Sequence, residues 1–188
     1  HTRYPLVTGV QTCALPICRA VLGHPAAAML FGINGEAETT HMWTDATTGL
    51  QCKCRPDWIS EDGGILVDLK TTEDASPREF QRTIAKYRYH CQAGWYMAGV
   101  EAAYGTRPSG FIFIAVEKKP PFAVGVYAAD EEMISRGYEI AMRDLQKLAE
   151  CKAANQWPAY SHRIEPISLP AWMTGKADAP TPDQIEGF

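Results

Sequence analysis

Apolar and polar positions alternate along two neighbouring stretches near the middle of the chain. Residues 65–70 form a short apolar run rich in β-branched side chains, which is typical of a buried strand. Residues 50–59 also alternate and predict a second strand. The linking residues 60–64 read Ser-Glu-Asp-Gly-Gly, a composition that favours a hairpin turn. The pattern therefore predicts an antiparallel pair of strands.

The predicted pair brings three charged side chains to one face of a sheet. Asp68 and Lys70 lie two residues apart and share a face, and the hairpin can place Asp57 opposite Asp68. Two carboxylates tolerate such closeness around a cation or a shared proton. Magnesium prefers oxygen ligands and keeps waters that can attack a phosphate, and a lysine can orient that water. The Asp-x-Lys triplet alone is better explained by an exposed salt bridge. Two features weaken that explanation: apolar residues flank Asp68 on both sides, and Asp57 follows a proline within a second patterned strand.

A long helix is predicted downstream of this pair. Residues 76–79 have the pattern of a capping box with Pro77 at the first helical position, so we expect a helix from there to about Gly105, broken near Gly94 or Gly99. Later patterns predict strands at residues 111–116 and 123–127, and a helix capped by Asp130 that runs to about residue 154.

One face of the predicted long helix carries a polar stripe. Arg88, Gln92 and Tyr96 recur every four residues and therefore share a face. Three neighbouring aromatic residues point elsewhere and are interpreted as core or interface positions: Tyr87, Tyr89 and Trp95.

These residues together resemble a known family. Asp57, Asp68-Leu69-Lys70 and the segment Gln92–Tyr96 resemble the PD-(D/E)XK nuclease pattern with the Gln-x-x-x-Tyr helix motif of the RecB-like branch. From about Gly35 to Trp172 the chain is similar to the phage-type RecE-like exonucleases (exodeoxyribonuclease VIII). The resemblance implies an α/β fold with a central mixed sheet flanked by helices. It also implies a magnesium-dependent 5′-to-3′ exonuclease, with Mn²⁺ as an alternative metal, that acts on double-stranded DNA ends in homologous recombination.

The resemblance also implies roles for single residues. Asp57, Asp68 and the backbone carbonyl of Leu69 would bind the metal, and Lys70 would serve the nucleophilic water. Gln92 and Tyr96 would lie beside the site. Glu38 matches a further acidic position of the superfamily, although a solvated strand face explains it equally well. DNA contacts are expected from Lys53, Arg55 and Arg88.

The resemblance further implies partners and leaves two alternatives open. A single-strand annealing protein of the RecT type, a ring-shaped homo-oligomer and a location in the cytoplasm of a bacterium or phage-infected host are expected, without a membrane. Relatives carry an upstream histidine ligand, and His24 is interpreted as a helix-terminal surface residue rather than its replacement. A catalytically inactive DNA-binding or assembly module is therefore one alternative. A single-strand or nicking RecB-type nuclease is the other.

Composition agrees with one soluble domain. The chain has 188 residues and a net charge of −4, which says little against DNA binding because local basic patches govern phosphate contacts. No apolar run approaches the roughly 20 residues that a membrane span requires. The six cysteines show neither a disulfide framework nor a zinc spacing, and we expect them to be reduced.

The two ends of the chain are expected to lie outside this domain. Residues 7–17 match, letter for letter, the translation of a sequencing-library adapter, so residues 1–18 are interpreted as an artefact that should make few contacts. We expect an N-terminally truncated nuclease domain at residues 19–173. Residues 174–188 are predicted to form a flexible tail.

Overall fold

The computed structural model describes residues 11–170 and 173, with side chains from residue 15 onward. Five strands form a sheet in the order β1-β4-β5-β6-β7, and β2 and β3 form a separate two-stranded sheet. The strands are β1 (Gly35–Ala37), β2 (His41–Thr44), β3 (Gln51–Cys54), β4 (Trp58–Ser60), β5 (Ile65–Thr72), β6 (Gly110–Glu117) and β7 (Val124–Ala128). The helices are α1 (Gln11–Gly23), α2 (Pro25–Phe31), α3 (Pro77–Tyr87), α4 (Tyr89–Tyr104) and α5 (Glu131–Ala154).

The five-stranded sheet is mixed, as the expected fold class requires. β5 and β6 are parallel, whereas the other neighbouring pairs are antiparallel. A parallel pair needs a long crossover connection, and α3 and α4 provide it. The later predictions are confirmed by β6, β7 and α5, which begins after Asp130; the Asp130 Oδ1 accepts a hydrogen bond from the Met133 N–H at 2.7 Å. The α/β fold with a central mixed sheet flanked by helices is thus correct.

Alternating side chains of the sheet supply two apolar cores. Leu66 of β5 belongs to the cluster that includes Phe80 of α3 and Met97 of α4, whereas Val67 belongs to the cluster that includes Leu30 of α2. Helices therefore cover both faces of the sheet, with α1 and α2 on one side and α3 and α4 on the other. Asp68 lies two residues after Leu66 on β5 and therefore on the same face of the sheet, so its side chain points toward α4.

The single strand predicted for residues 50–59 is wrong. The structure has two strands there: β3 pairs with β2 in the small sheet, and β4 pairs with β1 and β5 in the large one. Pro56, which lies between them, has no N–H to donate to a ladder, and the chain crosses from one sheet to the other at residues 55–57. Lys53 and Asp57 are consequently not on one strand, and Cys52 and Cys54 are both buried on one face of β3.

The long helix predicted from residue 76 is also divided, at a different place from the one expected. The break is at Arg88, whose φ of 58° lies in the left-handed region, while Gly94 and Gly99 are inside α4. Ser76 precedes α3 with Pro77 at its start, but its side chain makes no capping hydrogen bond. Glu79 instead accepts a hydrogen bond from Arg82 at 2.6 Å, so the reciprocal capping box is absent here.

Part of the segment interpreted as an artefact has described structure. Residues 11–18 belong to α1, and Ile17 packs against the core cluster that contains Val21 and Leu30. The expectation that this segment lacks packing is therefore wrong for Ile17, whereas Leu15 is 61% exposed. Residues 1–10 lie outside the described part of the chain, and the origin of residues 1–18 stays a prediction.

The chain divides into two compact units, residues 1–150 and 151–188. The first contains the sheet and both apolar cores. The second begins with the last residues of α5 and continues without regular structure over residues 156–170, where Ser161 Oγ lies within hydrogen-bond distance of the Arg163 carbonyl and the Glu165 carboxylate. The predicted tail at residues 174–188 lies outside the described residues. Among the described helices, none is long and apolar enough to cross a membrane.

Candidate active site

The register of β4 and β5 brings the two aspartates together. Trp58 lies opposite Val67 and Ile59 opposite Leu66. Extending this antiparallel register by one residue places Asp57 opposite Asp68, on the same face of the sheet. Asp57 Oδ2 also accepts a hydrogen bond from the backbone N–H of Leu69 at 2.8 Å, which fixes that carboxylate against β5.

Asp68 is the most deeply buried charged residue of this group. Its side chain is 1% exposed, and Lys70, on the same strand face, is 16% exposed. Asp68 Oδ1 accepts a hydrogen bond from Gln92 Nε2 at 2.6 Å. Oδ2 lies 2.5 Å from Lys70 Nζ. Apart from this contact with Lys70, Oδ2 is buried and has no polar partner among the described residues.

The surroundings of Asp68 disfavour its charged form. Burial is the main cause that raises the pKa of the Asp68 carboxyl, and the nearby charge of Asp57 raises it further. The ammonium of Lys70 and the amide of Gln92 oppose this shift without cancelling it. A further positive charge beside Asp68 would therefore stabilise its charged form.

The residues present fit a divalent cation held by a small protein ligand set. Asp57 and Asp68 offer carboxylate oxygens, and Lys70 is the one described partner of the buried Asp68 Oδ2. Over the described part of the chain, no group of three or more His, Cys, Asp or Glu side chains could hold a metal ion. Magnesium commonly uses one or two carboxylates together with water and substrate phosphates, whereas zinc in structural sites takes four protein ligands. The donor set therefore matches a magnesium-type ion.

Helix α4 closes the site with two residues of the predicted stripe. Gln92 holds Asp68, and Tyr96 lies one helical turn further along, with its pKa raised chiefly by burial. Arg88 is not in the helix: it occupies the break before α4 and pairs with Asp144 at 2.5 Å. All three nevertheless line one groove of about 520 Å³. Trp95, which was expected to point elsewhere, lines the same groove, so the predicted separation of Trp95 from the stripe is wrong.

The remaining predicted site residues lie at the margin. The Glu38 carboxylate is 3.3 Å from Arg55, both side chains are 61% exposed, and Glu38 forms no metal group with Asp57 and Asp68. Arg55 and Lys53 line a groove of about 480 Å³ that also includes Tyr96. The structure thus brings the Glu38 backbone to Asp57, whose carbonyl accepts a hydrogen bond from the Glu38 N–H at 3.1 Å, while the Glu38 carboxylate pairs with Arg55.

One residue near the site has a position that the sequence did not indicate. The ammonium of Lys70 lies 4.6 Å from the centre of the Tyr89 ring. The sequence placed Tyr89 in one continuous helix with Gln92, three residues apart and off the polar stripe. Only the break at Arg88, an arginine in a conformation more usual for glycine, gives Tyr89 its place at the start of α4.

Comparisons with known proteins agree with the fold. The chain is similar to a putative exonuclease from Eubacterium rectale, with a TM-score of 0.63, 14% identity, and coverage of 94% of this chain and 66% of that one. The chain therefore spans just under two thirds of that protein's length. A phage-related exonuclease from Haemophilus somnus matches with a TM-score of 0.48 and 11% identity, covering 82% of this chain and 76% of that one. An alkaline exonuclease from Laribacter hongkongensis matches with a TM-score of 0.36 and 15% identity, covering 80% and 77%.

No curated protein matches the chain. A family profile does match, over residues 14–170, and its family is described as a PDDEXK-like domain of unknown function. These residues include all of β1 to β7 as well as Asp57 and Asp68. The chain belongs to the family of PDDEXK-like domains of unknown function (DUF3799).

Proposed function

We propose that this domain is a magnesium-dependent nuclease that degrades double-stranded DNA from its ends in the 5′-to-3′ direction, in the manner of RecE-like exonucleases. The observation that carries the proposal is the convergence of Asp57, Asp68 and Lys70 on one face of β4 and β5. The fold similarity to a protein named a putative exonuclease supports it. Manganese is an alternative metal at the same oxygen ligands.

Each residue of the site has a task in phosphodiester hydrolysis. Gln92 and the Leu69 N–H orient the carboxylates of Asp68 and Asp57, which would hold the ion together with the Leu69 carbonyl. When bound, the ion supplies an activated water and a Lewis acid for the phosphate. Lys70 places a positive charge beside Asp68, where it can orient the water and offset charge that develops on the phosphate.

The adjoining grooves suit a DNA backbone. Lys53 and Arg55 offer positive charge in a groove that they share with Tyr96. Tyr96 is near the aspartates, because besides burial the charges of Asp68 and Asp57 help to raise the pKa of its hydroxyl, so phosphates bound in this groove would lie close to the site. Lys53 has no acidic partner among the described residues, whereas Arg55 shares its charge with Glu38. Arg88 is a weaker candidate for DNA contact because Asp144 already binds it. Work in recombination with a RecT-type annealing protein, and a ring-shaped oligomer, form part of the proposal through the resemblance alone.

The proposal is tested with linear duplex DNA labelled at either the 5′ or the 3′ end. We expect digestion with Mg²⁺, none with EDTA, and early release of the 5′ label. Asp68→Asn and Lys70→Ala should reduce the rate by at least about 100-fold because each removes a group that acts on the transition state. Lys147→Ala, an exposed lysine of α5 that pairs with Glu150, is the matched control and should leave the rate unchanged.

The same assay separates the alternatives. Preferential digestion of single strands, or nicking of closed circular duplex, would favour the RecB-type activity over an end-dependent exonuclease. The absence of a third acidic or histidine ligand among the described residues favours the other alternative, a DNA-binding module without cleavage. DNA binding without cleavage in Mg²⁺ and in Mn²⁺ would support that module and contradict the nuclease.

A further inference from the structure

The ammonium of Lys70 has two described neighbours of different kinds. One is Asp68 Oδ2 at 2.5 Å, and the other is the face of the Tyr89 ring at 4.6 Å from its centre. The Lys70 side chain is only 16% exposed, so little water competes for its charge. An aromatic face attracts a cation electrostatically, and this attraction is larger where the cation is desolvated.

The surrounding aromatic residues fix the Tyr89 ring in place. Its ring centre is 6.4 Å from that of Phe113 in the buried strand β6 and 5.7 Å from that of Tyr87, on which it stacks at an interplanar angle of 23°. Burial raises the pKa of the Tyr89 hydroxyl, so the ring stays neutral at ordinary pH. The Tyr89 ring therefore presents a fixed π face to Lys70.

We propose that Tyr89 is a positioning residue that holds the Lys70 ammonium at the active site through a cation–π contact; this rests on the proposed nuclease function. Asp68 alone is a poor anchor for Lys70, because the same carboxylate would share its charge with a bound cation. The Tyr89 ring is not a metal ligand and keeps its contact in either state. Without it, the flexible four-carbon stem of Lys70 regains rotamers that carry the ammonium away from the phosphate.

The first test compares a substitution that keeps the aromatic ring at residue 89 with one that removes it. Tyr89→Phe keeps the π face, and kcat should stay within about twofold of the parent. Tyr89→Leu removes it, and kcat should fall by roughly 3- to 30-fold, the range that corresponds to a cation–π contact, with KM nearly unchanged. Tyr127→Leu is the matched control: Tyr127 packs on Phe80 in the same core cluster and has no described contact with Lys70. This variant loses core packing and the hydrogen bond that the Tyr127 hydroxyl donates to the Ala75 carbonyl, but it should keep its kcat.

The second test does not depend on activity. In the metal-free protein with ¹³C-labelled lysine side chains, the ε-CH₂ protons of Lys70, assigned with Lys70→Arg, should resonate upfield because of the Tyr89 ring current. The shift should persist in Tyr89→Phe and Tyr127→Leu and disappear in Tyr89→Leu. An unshifted Lys70 signal in the parent, or a Tyr89→Leu enzyme with the parent's kcat, would overturn the inference. A parent that shows the shift but digests no DNA would contradict the nuclease proposal and leave the Lys70–Tyr89 contact standing.

Discussion

The buried carboxylate of Asp68 makes strong demands on its immediate neighbours. With 1% of its side chain exposed, it depends on protein groups for the interactions that water would otherwise supply. Gln92 donates the one hydrogen bond that it accepts, at 2.6 Å, and Lys70 provides the nearest positive charge. By holding Oδ1, Gln92 therefore fixes the orientation of the Asp68 carboxylate toward a cation.

Replacement of Gln92 should weaken metal binding rather than abolish the chemistry. In Gln92→Ala the Asp68 carboxylate loses its donor and its fixed orientation, and we expect a 10- to 100-fold lower rate, as is usual for groups that orient a metal ligand. Part of the loss should be recovered at higher Mg²⁺ concentration, measured as the rate over a magnesium titration. Gln146→Ala is the control, because Gln146 is an exposed glutamine of α5 that bonds only to Glu150 among its described neighbours. A rate that is equally low at every Mg²⁺ concentration would count against this role.

The sequence predicted the residues of the site better than the way in which they are supported. Side-chain parity in β5 and the turn at residues 60–64 were sufficient to align Asp57, Asp68 and Lys70, because both are local properties of the chain. Tyr89 could not be found in this way. Its contact with Lys70 depends on a helix break at a non-glycine residue, which tertiary packing stabilises against the local preference of Arg88.

Among the larger elements, the packing of α4 against α5 determines where Gln92 lies. A Cβ added at Gly137 of α5 would come within 1.8 Å of the His90 carbonyl oxygen, and one at Gly94 of α4 within 2.3 Å of the Tyr138 nitrogen. The two helix backbones therefore approach each other as only glycine permits. The sequence suggested that Gly94 marks a break in the helix, because glycine lowers helix propensity. The packing role of Gly94 could not be predicted, because it depends on α5, which is distant in the sequence.

Gly137→Ala should test this close approach. The added methyl group must displace the backbone of α4, and we expect a loss of about 1–3 kcal/mol in the free energy of unfolding, despite the better helix propensity of alanine. Cleavage should fall as well, because His90 and Gln92 move together. Urea denaturation and the nuclease assay measure the two effects. Gly110→Ala is the control, since nothing lies within 4 Å of its added Cβ; equal stability of the two variants would contradict the close packing.

For the whole molecule, the sheet was the easier part to predict and the connections between elements were the harder one. The buried strand β6 has a continuous apolar run, and β5 has apolar residues on both sides of Asp68, which identifies both strands without knowledge of their neighbours. The division of residues 50–59 between two sheets depends on long-range pairing with β1 and β2, which alternation along the chain does not encode. Alternation along the chain also did not predict the packing of α1, in which Ile17 contacts the core although residues 7–17 match adapter-encoded sequence.

The contribution of residues 1–18 can be measured by removing them. Ile17 is the only residue of this segment with described packing against a core cluster, and it is half-buried, while Leu15 faces outward. Complete burial of an isoleucine is worth about 1.5–3 kcal/mol, so a chain that begins at Arg19 should lose about 1 kcal/mol in the free energy of unfolding. Ile17→Ala in the full chain should account for most of that loss, and both should keep the parent's rate on DNA. A loss above about 3 kcal/mol on trimming, with little effect of Ile17→Ala, would show that the segment makes a larger structural contribution and would contradict its interpretation as adapter-derived.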